Sequence, residues 1–74
     1  MKKIILVYEY WGGRPNPSRQ EVVDAAQSIV GQTVEDKFAA IELLEKKFKE
    51  VHYRTSHINA GTKSSAIGWN IVLE

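Results

Sequence analysis

Two histidines, one glycine–arginine loop and a few aromatic side chains are the groups in this chain whose types and spacing could do chemistry. His52 and His57 are the only histidines. A histidine acid–base pair needs a partner at hydrogen-bond range, and Tyr53, Arg54 and Lys63 are the local candidates. That set would describe a small His-dependent nuclease. The odd separation of the two histidines, however, puts their rings on opposite faces of an extended strand. No carboxylate is adjacent to either in sequence, and no three residues suggest convergent metal ligands. Exposed sheet histidines are the simpler reading, and no metal or cofactor is expected. Cysteine is absent, which excludes disulfides, thiolate catalysis and cysteine zinc sites.

Gly61-Thr62-Lys63-Ser64-Ser65 invites comparison with a phosphate-binding P-loop. That motif needs a glycine directly before the lysine and another five residues earlier, where this chain has Thr62 and His57. The segment also runs into a strand-like stretch, so it reads as a hairpin tip. Gly12-Gly13-Arg14 ahead of a helix is the better anion site. Free backbone N–H groups there, with Arg14, Arg19 and Lys63 nearby, could hold a phosphate or carboxylate. The plainer account is a turn that needs its glycines. The carboxylates Glu35, Asp36, Glu42 and Glu45 are explained by capping and ion pairing on a helix.

The elements that must position these groups follow from hydrophobic period. Ile4–Tyr10 is almost continuously apolar and reads as an interior strand. Simple alternation directs Ile4, Leu6, Tyr8 and Tyr10 to one side, and Lys3, Ile5, Val7, Glu9 and Trp11 to the other. The first set, free of charge, is expected to meet the helices. After a Gly/Pro-rich loop, capped by Asn16 or Ser18, Arg19–Val30 repeats Val22, Val23, Ala26, Ile29 and Val30 at helical spacing. Gly31 then stops the helix. A second helix is expected over Val34–Lys49, capped by Thr33, with Val34, Phe38, Ile41, Leu44 and Phe48 buried. Glu42–Lys46 and Glu45–Lys49 are spaced to pair along it. Val51–Thr55 and Ala66–Leu73 alternate as strands, with a hairpin turning near Asn59–Gly61. In the last strand Ile67, Trp69, Ile71 and Leu73 are expected inward, with Ala66, Gly68, Asn70 and Val72 outward.

These 74 residues make a single domain, 1–74, with no repeat or linker. The short apolar run at the start is followed by Glu9 and lacks a small-residue cleavage site, so it reads as a strand and not a signal peptide. No stretch is long enough to span a membrane, and a cytoplasmic location is expected. A net charge of +1 lacks the basic excess of a generic nucleic-acid binder. The fold class expected is α+β: a β-α-α-β-β order, with a three-stranded, mostly antiparallel sheet and two helices on one face. The reverse face of that sheet would then be bare, with Ile5, Val7, Trp11, Arg54 and Val72 as its contact residues. The function expected is a small non-enzymatic protein-binding module. It would mask a partner as an inhibitor does, in the manner of phage or mobile-element proteins, or self-associate as a homodimer. The alternative is single-stranded nucleic-acid or RNA binding. Trp11, Tyr10 and Tyr53 would stack bases, and Arg14, Arg19, Arg54 and Lys63 would contact phosphates.

Overall fold

The computed structural model describes residues 1–13, 19–55, 57–61 and 67–74. Along the chain run β1 (Lys2–Tyr10), α1 (Gln20–Gln27), β2 (Thr33–Val34), α2 (Lys37–Glu50), β3 (Ile58–Gly61) and β4 (Gly68–Leu73). The four strands form one sheet in the order β2-β1-β4-β3. β1 is antiparallel to β2 and β4, and β3 is parallel to β4. The architecture is α+β as expected, with a four-stranded mixed sheet in place of three mostly antiparallel strands.

Both helices pack on one face of this sheet. Val22, Ala26 and Ile29 from the first helical segment and Ala40, Leu44 and Phe48 from α2 join Ile4, Val7, Trp69, Ile71 and Leu73 in one core. The turn after α1 is tied to β1: Ile4 N–H donates to the Gln32 carbonyl and Gly31 N–H to the Ile4 carbonyl, both at 2.8 Å. Burial of aliphatic side chains on this one face is the main stabilising term in a domain of this size.

A bulge changes which β1 side chains face the helices. Ile4 pairs with Leu73 but Leu6 with Val72, so the register slips by one residue at Ile5. Strict alternation fails there, because the extra residue shifts every later side chain to the opposite face. Val7, expected outward, is 1% exposed and lies across from the buried Ile71. It is therefore no surface contact residue. Leu6, expected inward, is 43% exposed.

Other boundaries also move. α2 starts at Lys37, and its cap is Asp36, which accepts the Ala39 N–H at 2.8 Å. Thr33 is not the cap, since Thr33 and Val34 pair with Lys3 and Lys2 as β2. The buried stripe of α2 is Ala40, Leu44 and Phe48, at strict four-residue spacing. Phe38 falls two residues before that stripe, on the far side of the helix, and is 64% exposed. α1 begins with Arg19 as a cap whose side chain makes no capping hydrogen bond. The expected caps Asn16 and Ser18 lie outside the described residues.

The expected strand over Val51–Thr55 does not form. Its first residues close α2 instead: His52 N–H donates to Lys49 O (3.2 Å) and Tyr53 N–H to Phe48 O (3.0 Å). This paired pattern is the Schellman ending of a helix. Asn59–Gly61, expected as a turn, belongs to β3, whose Ile58 and Ala60 pack on the core. The link from β3 to β4, residues 62–67, is shorter than the dozen or so residues usual between parallel neighbours. Ile67, expected inward, is exposed just ahead of β4.

Candidate functional site

Two surfaces hold the groups singled out in the sequence. The first is the sheet face turned away from the helices. The bulge places Ile5 and Leu6 side by side in the open, 52% and 43% exposed. The half-buried Val72 stands directly across from Leu6. Tyr8 and Tyr10 follow on the same side of β1 and are half-buried. The face is not bare along its length: Asn70, opposite Tyr8, is 1% exposed. The open apolar area is thus concentrated at the Ile5–Leu6–Val72 end. Trp11 is exposed just past β1, and its indole N–H donates to the Glu9 carboxylate at 2.9 Å.

The second surface is an open groove of about 930 Å³ between the outer side of α2 and residues 52–55. Glu42, Glu45, Lys46 and Lys49 line it from α2, and His52 and Arg54 line it from the segment that follows the helix. Phe48 and Tyr53 lie at its base. Tyr53 is held on two sides. Its ring is edge-on to Phe48, with centroids 4.9 Å apart, and its hydroxyl accepts the Trp69 indole N–H at 3.2 Å. Among the described residues the ionic side chains of the groove make no direct ion pair with one another. Among the described residues the ion pair present joins Arg19 to Glu21 (2.8 Å), while Glu42–Lys46 and Glu45–Lys49 stay open despite their spacing.

His52 is the conformational exception. Its φ of 54° makes it the one described residue other than glycine with a positive φ. It occupies the left-handed position after a helix, where glycine is usual because a Cβ is strained there. Histidine tolerates this region better than most side chains, and here it is one of the residues that line the groove.

The remaining expected site residues are dispersed. Gly12 and Gly13 have positive φ values of 59° and 85°, as the turn requires. Arg14 and Lys63 lie outside the described residues. Arg19 turns toward α2, where its guanidinium donates to the Val51 carbonyl at 2.9 Å and supplements the closing of that helix. Arg54 lines the groove beside α2, not the face that carries Leu6, because the strand expected to hold it does not exist. Tyr53 is held by Phe48 and Trp69 and lines the same groove. His57 accepts the Trp69 N–H with its backbone carbonyl (3.0 Å) and is not among the residues that line the α2 groove. Among the described residues, no three His, Asp or Glu side chains gather as a metal site, and no helix is long and apolar enough to cross a membrane.

The sequence reading missed the groove because it assigned Val51–Thr55 to a strand. No signal marked it, because the glycine that usually announces a left-handed helix end is absent after Lys49 and His52 takes that position. Comparisons with protein-family models, with curated proteins and with solved structures find no match.

Proposed function

We propose that this protein is a non-enzymatic contact module that binds another protein surface through the Ile5–Leu6–Val72 end of its sheet. One observation carries the reading: the bulge in β1 exposes two consecutive large aliphatic side chains that a regular strand would have placed on opposite faces. Bulges re-aim side chains at functional edges, and adjoining exposed aliphatics mark contact surfaces. Two further features support it. Leu6 continues across the ladder into Val72, which makes the apolar area contiguous. A net charge of +1 leaves little self-repulsion to oppose association.

Self-association is the form of contact that can be measured directly. Sedimentation velocity over a range of concentrations should show a reversible dimer, and the Ile5→Lys/Leu6→Lys double variant should be monomeric with an unchanged circular dichroism spectrum. A chain that stays monomeric throughout, and whose binding to host proteins is the same in the double variant, would remove the reading.

A further inference from the structure

We infer that the groove between α2 and residues 52–55 binds a small anionic ligand carrying a planar ring, the class to which mononucleotides belong. This site is in the helical layer and does not depend on the sheet-face reading. Its volume of about 930 Å³ lies at the upper end of the roughly 300–1,000 Å³ typical of small-molecule sites. The lining holds the permanent cations Lys46, Lys49 and Arg54 against the carboxylates Glu42 and Glu45, with His52 in addition. Those cations make no direct ion pair among the described residues, and they outnumber the carboxylates of the lining by three to two. Lys49 lies in the last turn of α2 and Arg54 in the segment that follows it, so both cations line one groove and could share an anion.

The ring is assigned by the base of the groove. Tyr53 is the half-buried aromatic residue there, and its orientation is set in advance by Phe48 and Trp69. A ring fixed before binding loses little freedom when a planar group settles on it, and flat aromatic or base moieties stack on such a surface. The backbone at His52 adds a separate argument. Glycine at this left-handed corner would relieve strain, yet the residue present is a histidine that lines the groove. Strained positions that carry a polar side chain into a cavity are typical of binding sites.

Trp69 contacts the Tyr53 hydroxyl and supplies the readout. In the Trp11→Phe background, its emission would be followed on titration with adenosine monophosphate, adenosine and inorganic phosphate, with Tyr53 ring shifts in NMR as the second measure. The monophosphate should produce a saturable change, with adenosine and phosphate each about tenfold weaker or more, since each lacks one of the two recognised groups. Arg54→Glu should weaken the monophosphate by about tenfold or more. His52→Gly should also weaken it while raising the melting temperature by roughly 5 °C. A purely structural histidine would not show those two opposite effects. Absence of saturation by both readouts, equal affinity for phosphate and the monophosphate, or full affinity in Arg54→Glu would each overturn the assignment.

Discussion

At the scale of single residues, the sharpest constraint is Gly68. It opens β4 with φ of 123°, and a Cβ there would sit 2.6 Å from the His57 carbonyl oxygen and 2.7 Å from the His57 Cβ. The carbonyl belongs to backbone already bonded to Trp69 N–H, so it has no cheap way to withdraw. Gly68→Ala should destabilise the protein by about 2 kcal/mol. In a domain of this length that lowers the melting temperature by roughly 10 °C, which differential scanning calorimetry would record. Tyr53 offers a milder case. Removing its hydroxyl leaves the buried Trp69 indole N–H without its acceptor, so Tyr53→Phe should cost about 1 kcal/mol in urea unfolding. None of this was legible in the one-letter code, because Gly68 in an alternating strand looks like any outward small residue. Its necessity comes from a carbonyl in a different segment.

At the scale of elements, α2 shows how a cap sets a phase. Both Thr33 and Asp36 are good capping types, and sequence alone does not choose between them. Pairing of Thr33 and Val34 with β1 decides it, by committing those residues to an extended backbone. Asp36→Ala should therefore lose about 1 kcal/mol, whereas Thr33→Ala should change the melting temperature by only a few degrees, measured by the ellipticity of the helix. The β1 bulge works the same way on the sheet. Its consequence is that Ile5 and Leu6 contribute little to the core. Replacing both with lysine should leave the melting temperature within roughly 3 °C of the parent. A drop as large as that of a core substitution would show the pair to be packed inside.

At the scale of the whole molecule, one core carries the fold. A chain of 74 residues has a total stability on the order of 4–11 kcal/mol. Leu44 is fully buried within the cluster that joins both helices to the sheet. Leu44→Ala should remove about 2–5 kcal/mol, and calorimetry at physiological temperature should find a large unfolded fraction. The two candidate surfaces sit on different layers of this core. One is the outward side of β1 and β4, and the other is the solvent side of α2. A substitution in either is expected to leave the other working, since surface positions without shared partners act additively.

Local pattern determined the α+β class, the two amphipathic helices and the inward set Trp69, Ile71 and Leu73, because side-chain period is a property of neighbouring residues. It could not determine the outcome at three places. The bulge at Ile5 depends on how β1 and β4 align across more than sixty residues of chain. The fate of Val51–Thr55 depends on whether Tyr53 N–H finds a strand or the end of α2, and Phe48 offers both the carbonyl and the ring. The parallel seating of β3 on β4 sets Asn59 beside Asn70, a neighbour relation that no spacing rule contains. Each is a choice among local conformations of similar energy, and contacts distant in sequence make that choice.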